Sequence, residues 1–129
     1  MNFNKLEKLN LESNDISNIN VLENVNFKEL KELDLSDNNI SDIKVLEKVK
    51  FNKLEKLYLQ SNKISNNINV LENVNFKELK ELILSYNNIL DIKVLEKVKF
   101  NKLEYLDLKE NKISDTSILS KLKFKFVNY

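Results

Sequence analysis

The chain has 129 residues, with 21 basic residues against 20 acidic ones and no His, Cys, Gly or Pro. Without Cys it can form neither a disulfide nor a thiolate metal site. Because His and Arg are also missing, the side chains left for acid–base chemistry are Asp, Glu, Lys and Tyr, and none of them shows a catalytic spacing. We therefore expect that the protein is not an enzyme and that it binds neither a metal nor a cofactor.

The balanced charge gives no reason to expect a nucleic acid or a membrane surface as the partner. No stretch approaches 18 consecutive apolar residues, so the sequence predicts no transmembrane helix. No apolar segment typical of a signal peptide follows Met1. Together with the absence of Cys, this favours a reducing, cytoplasmic (intracellular) location.

One phrase, F-x-x-L-x-x-L-x-L-x-x-N-x-I, recurs at spacings of 24, 24, 25 and 24 residues. Its copies start near Phe3, Phe27, Phe51, Phe76 and Phe100. A period in the twenties predicts a solenoid of stacked coils, which we treat as a single domain over residues 1–129. A partial sixth copy begins at Phe124, and residues 121–129 form either this incomplete repeat or a C-terminal cap.

The phrase and the segment that follows it in each coil predict different local structures. The L-x-L step has period two and indicates a strand of three to five residues with one face inward. Ile43, Leu46 and Val49 recur every three residues, which fits a short 3₁₀ or single-turn helical segment on the far side.

An Asn follows each strand and forms one column along the solenoid: Asn14, Asn38, Asn62, Asn87 and Asn111. A side-chain amide both donates and accepts, so it can satisfy backbone groups that are buried where a coil turns. We interpret the column as a structural ladder rather than a ligand set. Because the chain lacks Gly and Pro, we also expect Asn, Asp and Ser to make the turns, at the two-residue steps that begin at these Asn residues.

The run from Leu30 to Leu46, L-x-x-L-x-L-x-x-N-x-I-x-x-I-x-x-L, resembles the leucine-rich repeat. The phrase S-D-I-x-x-L at Ser41 resembles the subclass of the leucine-rich protein phosphatase 1 regulator and the internalins. The resemblance implies an α/β fold, a right-handed solenoid with a parallel β-sheet on the concave face and short 3₁₀ or α segments on the convex face. It also implies a non-catalytic module for protein–protein interaction.

A longer repeat shows where the chain varies. Residues 20–59 align with residues 69–108 at an offset of 49, and this two-coil unit differs between its copies at five positions. The differing pairs are Asp34/Ile83, Asp37/Tyr86, Ser41/Leu90, Lys56/Tyr105 and Tyr58/Asp107. Four of the five lie in or beside the L-x-L strands, at positions that point out of the concave face. Chance in so small a sample is the alternative explanation.

These changes predict a partner-binding patch on the concave face made of Tyr58, Ile83, Tyr86 and Tyr105. Its border is formed by Lys56, Glu81, Asp107 and Lys109. A contiguous apolar patch rimmed by charge is typical of a binding site for a protein or peptide, and Tyr is favoured at such sites. Cross-strand packing that only stiffens the sheet is the alternative.

The first half of the concave face is acidic and polar, with Glu12, Glu32, Asp34 and Asp37. A partner that spans both halves would therefore present an apolar anchor at one end and Lys or Arg at the other. The first coil enters the repeat directly, which leaves its leucines open on one side. Self-association through the solenoid ends, or membership of a longer repeat array, is the alternative function.

Overall fold

The computed structural model describes residues 3–129. Six parallel strands of three residues each form one sheet in the order β1-β2-β3-β4-β5-β6. They are β1 (Lys8–Asn10), β2 (Glu32–Asp34), β3 (Lys56–Tyr58), β4 (Glu81–Ile83), β5 (Tyr105–Asp107) and β6 (Phe126–Asn128). The convex side carries five 3₁₀ segments: η1 (Asn20–Asn24), η2 (Lys44–Glu47), η3 (Asn66–Glu72), η4 (Lys93–Glu96) and η5 (Ser117–Lys121). The predicted α/β leucine-rich solenoid is confirmed.

The core lies between the sheet and the 3₁₀ segments. The central Leu of each inner strand points inward and is fully buried, while its two neighbours are half-exposed on the concave face. The strand register follows the repeat without a slip, so Leu33 pairs with Leu57 and Leu57 with Leu82. A slip of one residue would move every leucine into solvent, and burial therefore fixes the register. None of the helical segments in residues 3–129 has the length and apolar character needed to cross a bilayer.

The Asn column links each coil to the one before it. The Asn62 Nδ2 donates to the Leu59 and Gln60 carbonyls of its own coil and to the Leu35 carbonyl of the preceding coil, at 3.0 Å. Its Oδ1 accepts the N–H of Ile40 at 2.9 Å. Asn38, Asn87 and Asn111 make the same four types of contact. One side chain thus satisfies buried backbone groups on both sides of each coil interface.

The left-handed residue of each turn is not the Asn but the residue before it. Five residues have φ between 52° and 57°: Ser13, Asp37, Ser61, Tyr86 and Glu110. The expected residue types, Asn, Asp and Ser, are present in three coils, as Ser13, Asp37 and Ser61, but the turn lies one residue before the step that we predicted. The Asn side chain has to reach back to the carbonyls of its own strand, and the sharp turn that allows this is made one residue earlier.

An acceptor side chain starts four of the 3₁₀ segments. Asp42 Oδ1 accepts the N–H of Lys44 at 2.8 Å. In the same way, the Oδ1 atoms of three other residues each accept the N–H of the residue two positions later: Asn18, Asp91 and Asp115. Such Asx turns compete with extended backbone and bend the chain. The third coil carries one additional residue, and its segment η3 is seven residues long. There the Asn67 side chain instead donates to the Ser41 carbonyl of the coil before.

The C-terminal strand extends the sheet but is shifted relative to the repeat. Val127 pairs with Leu106, so Phe124 occupies the position of Leu103 and not that of the coil-opening Phe100. The assignment of Phe124 as the start of a sixth copy was therefore wrong by three residues. A groove of about 510 Å³ lies beside Phe100 at this end of the solenoid, lined among others by Leu122 and Phe124.

The Asn ladder gives the first testable prediction. Replacing Asn62 with Ala leaves the Ile40 N–H buried without a partner, whereas the Leu35 carbonyl still accepts the Asn38 Nδ2. We expect the free energy of unfolding to fall by about 2–4 kcal/mol, since an orphaned buried group costs about 1–3 kcal/mol and each further hydrogen bond lost costs about 0.5–1.5 kcal/mol. Urea denaturation followed by circular dichroism measures this change.

Asn14 provides the matched control. It is exposed and donates only to the Leu11 and Glu12 carbonyls of its own coil. Asn14→Ala should cost less than about 1 kcal/mol. Equal losses for the two variants would show that the bonds between coils contribute nothing beyond those within a coil.

Candidate functional site

The concave face presents two rows of side chains that cross the strands. The first row runs along the opening positions of the strands: Lys8, Glu32, Lys56, Glu81, Tyr105 and Phe126. The second row runs along the closing positions: Asn10, Asp34, Tyr58, Ile83, Asp107 and Asn128. Neighbours in a row are about 4.8 Å apart because the strands are hydrogen-bonded to one another.

The structure places the predicted patch residues on adjacent strands. Tyr58 and Ile83 are register partners in the second row, and both are half-buried. Tyr105 lies in the first row on the next strand, beside Glu81 and diagonal to Ile83. Tyr86 follows strand β4 in the same coil as Ile83. We call these four residues the aromatic patch.

Tyr86 is the most exposed member of the aromatic patch, with 53% of its surface accessible. It also holds the left-handed backbone conformation, with φ 55°. A non-Gly residue with a large side chain is disfavoured there by roughly 1–2 kcal/mol. Other coils place Ser13, Asp37, Ser61 or Glu110 at this position, and three of these four, all but Glu110, are typical turn residues.

A second local preference is abandoned at the closing position of the strand. Asn10, Asp34 and Asp107 each accept the N–H two residues on through Oδ1, at 2.9–3.0 Å, and so stabilise the turn that follows. The third and fourth coils carry Tyr58 and Ile83 at this position instead. These side chains do not make that turn bond, and they contribute apolar surface in its place.

Tyr58 is held by its neighbours on the sheet. Its hydroxyl donates to Glu81 Oε2 at 3.2 Å. Partial burial, together with the Glu81 carboxylate, raises the pKa of Tyr58 to about 12. The phenol is protonated at neutral pH and donates this hydrogen bond to Glu81.

The four predicted border residues surround the aromatic patch on different sides. Lys56 lies between Glu32 and Glu81 in the first row. Glu81 accepts the Tyr58 hydroxyl, and Asp107 is the register partner of Ile83. Asp107 Oδ1 also accepts the Lys109 N–H, which fixes the turn after strand β5.

Phe126 joins this surface although the sequence did not single it out. It is the register partner of Tyr105 and is 64% exposed. In the sequence, Lys alternates with apolar residues over 121–126, which is a pattern typical of a strand. Only the three-residue shift of the last coil, however, turns Phe126 towards the concave face.

The close ring pairs in residues 3–129 lie along the column of coil-opening Phe residues and not in the aromatic patch. Phe3 and Phe27 meet edge to face with centroids 6.1 Å apart, and Phe27 stacks on Phe51 at 6.0 Å. Stiffening of the sheet by stacked tyrosines is therefore not how the aromatic patch is built.

The first half of the concave face keeps free carboxylates. Glu32 pairs with Lys8 at 3.4 Å, whereas Glu12, Asp34 and Asp37 have no ion-pair partner within the described residues. Asp34 accepts the hydroxyl and the N–H of Ser36. Over residues 3–129, no three acidic side chains come together as a metal site would require.

Models of known protein families match this sequence and agree with the repeat geometry described above. A model described as Leucine Rich repeats (2 copies) matches residues 28–73 and 77–121, and a model of a single Leucine Rich repeat matches residues 4–19. A search of curated protein sequences finds no match.

Among solved structures, an internalin (inlF) from Listeria monocytogenes superposes with a TM-score of 0.68 at 28% identity. The match covers 93% of this chain and 39% of the internalin chain. The functional domain of InlJ from Listeria monocytogenes shares the fold, with a TM-score of 0.54 at 17% identity over 97% of this chain and 30% of its own. This chain thus spans well under half the length of either structure.

Leucine-rich repeat domains are generally scaffolds for protein interaction and not enzymes. The family models cover most of the sequence, and the coils, Asn ladder and strand register of this solenoid agree with them. The chain belongs to the leucine-rich repeat family.

Proposed function

We propose that this chain binds a protein or peptide on its concave face, with Tyr58, Ile83, Tyr86 and Tyr105 as the apolar anchor. Lys56, Glu81, Asp107 and Lys109 border the anchor, and Phe126 extends it towards the C-terminal edge of the sheet. The bound segment lies across the strands, because both rows of exposed side chains run in that direction.

The observation that supports this proposal most strongly is the loss of local preference within the aromatic patch. The third and fourth coils give up the Asx turn at Tyr58 and Ile83, and the fourth coil places a tyrosine in a left-handed turn. Outside the aromatic patch, Glu110 is the one left-handed residue in the described chain that is not a typical turn residue. Positions that break such rules without a gain in packing are those at which function is expected.

The charge of the concave face indicates the chemistry of the partner. Unpaired carboxylates at Glu12, Asp34 and Asp37 lie towards the N-terminal half, and the apolar residues lie towards the C-terminal half. A segment with an aromatic or aliphatic anchor followed by Lys or Arg would complement both halves. Its association rate should fall as salt is added, because exposed charges are screened.

The backbone strain at Tyr86 predicts a trade between stability and binding. Tyr86→Asp restores the residue found at Asp37, which has nearly the same φ. We expect the free energy of unfolding to rise by about 0.5–1.5 kcal/mol, since Asp tolerates the left-handed conformation better than Tyr. Urea denaturation measures this. A loss of stability would show that the Tyr86 side chain is retained for packing.

Partner capture tests the proposed site itself. The double variant Ile83→Asp, Tyr86→Asp gives the second two-coil unit the residues Asp34 and Asp37 of the first, so the fold should be retained. We expect a protein captured by the wild-type chain from the lysate of its source cells to be lost with this variant. Quantitative mass spectrometry of the captured proteins measures the difference.

Leu90→Ser is the matched control, because it also restores the residue of the first unit, Ser41. Leu90 is 46% exposed and lies outside the aromatic patch. This variant should capture the same protein as wild type. If the double variant retains every captured protein, or Leu90→Ser loses the same one, the aromatic patch is not the site.

Three further expectations stay predictions. They are the cytoplasmic location, the absence of a nucleic-acid partner and the absence of a membrane partner. Fractionation of source cells with an antibody against the chain would test the first.

A further inference from the structure

The N-terminal face of the solenoid has the form of an interface between two coils. Within residues 3–129, strand β1 pairs only with β2 and is an edge strand. Val21 is 67% exposed, whereas Val45 at the same position of the second coil is 4% exposed. Leu6, Leu9, Leu11 and Ile16 are also only partly buried, although their counterparts in the second coil are fully buried.

At the N-terminal face, the ladder asparagine lacks the hydrogen bonds that the later ladder asparagines form to the preceding coil. Each later Asn of the ladder donates to a Leu carbonyl of the preceding coil and accepts an Ile N–H from it. Asn14 makes only the bonds within its own coil, and its Oδ1 accepts no hydrogen bond from the described residues. A coil stacked on this face would therefore find a donor and an acceptor already in place.

Ion pairs between neighbouring coils restrict which charges a coil stacked on the N-terminal face can carry. Three columns of charged side chains run along the solenoid, and in each the sign alternates from coil to coil over the first four coils. They are Lys5, Glu29, Lys53, Glu78; Glu7, Lys31, Glu55, Lys80; and Lys8, Glu32, Lys56, Glu81.

Several of these neighbours are in contact. Glu7 pairs with Lys31 at 3.2 Å, Glu29 with Lys53 at 2.6 Å and Lys8 with Glu32 at 3.4 Å. The same pairs recur one two-coil unit later between Glu55 and Lys80 and between Glu78 and Lys102. A hydrogen bond from Lys53 lowers the pKa of the Glu29 carboxyl. Coils with the phrase K-L-E-K thus alternate with coils that carry E-L-K-E.

We propose that the N-terminal face is a docking surface for a leucine-rich coil carrying the E-L-K-E phrase. Such a coil would present Glu, Lys and Glu to Lys5, Glu7 and Lys8. It would cover the leucines and Val21 and complete the bonds of Asn14. This proposal does not depend on the concave binding site.

A second copy of this chain fits the face poorly. Its C-terminal coil presents Lys123, Lys125 and Phe126 at the three columns, as the register of β5 and β6 shows. Lys123 would meet Lys5, and Phe126 would meet Lys8. Only the pair of Lys125 with Glu7 would be favourable.

A fusion tests the proposal with the chain's own sequence. A copy of residues 27–50 is placed directly before Phe3 of the full chain. The junction then reproduces the native one between Lys50 and Phe51, because residues 3–8 and 51–56 have the same sequence. The control carries the charge reversals Glu29→Lys, Lys31→Glu and Glu32→Lys in the added copy alone.

The native copy should raise the melting temperature by about 5 °C or more at low salt, and the control by about 2–6 °C less, as expected for several exposed ion pairs. In 1 M NaCl the difference should largely vanish, since the screening length is then about 3 Å. Hydrogen exchange should show protection of the Ile40 N–H in the added native copy, which can bond to Asn14.

Three outcomes would overturn the proposal. Equal increases in melting temperature for the native and charge-reversed copies at low salt would mean that the charge columns do not determine which coil stacks on the face. Added copies that stay unprotected in both fusions would mean that the face does not accept a coil. A dimer of the unmodified chain in sedimentation experiments, lost in the native fusion, would assign the face to a second copy.

Discussion

The side-chain amide of the ladder asparagine is the constraint on which the rest of this solenoid depends. A coil that turns after three strand residues buries carbonyls and N–H groups that no strand can satisfy. One amide both donates to and accepts from these groups, in its own coil and in the coil before it. Because Asn62 joins Leu35 to Leu59, it holds neighbouring coils together at one spacing, and burial of the leucines then fixes the register of their strands.

That register in turn determines the concave face. Since the central Leu of each strand must point inward, its two neighbours must point outward and line up in rows across the sheet. The chain therefore holds an exposed surface whose geometry is set by the core and whose chemistry is free to differ. Tyr58 and Ile83 become neighbours because Leu57 and Leu82 are paired in the core.

Most of the fold could be predicted from the sequence, because one pattern of apolar residues and Asn occurs five times and each copy predicts the same local structure. The strands, the 3₁₀ segments and the adjacency of Tyr58 and Ile83 followed from that repetition. The left-handed residue could not be identified in this way, because Ser13, Tyr86 and Glu110 share no sequence signal. The position of Phe126 also escaped prediction, since the last coil is shorter than the others and the Phe spacing no longer marks its start.

The alternating charge columns explain why the repeated unit is two coils and not one. Strands about 4.8 Å apart bring equivalent side chains together, so a single coil stacked on a copy of itself would place Lys on Lys and Glu on Glu. A pair of coils with opposite charges can be duplicated in tandem without such contacts. The outward row that ends in Tyr105 and Phe126 escapes this rule, because neutral aromatic residues have replaced the charges. The concave face could therefore change between the two copies while the charges in the other two columns stayed the same.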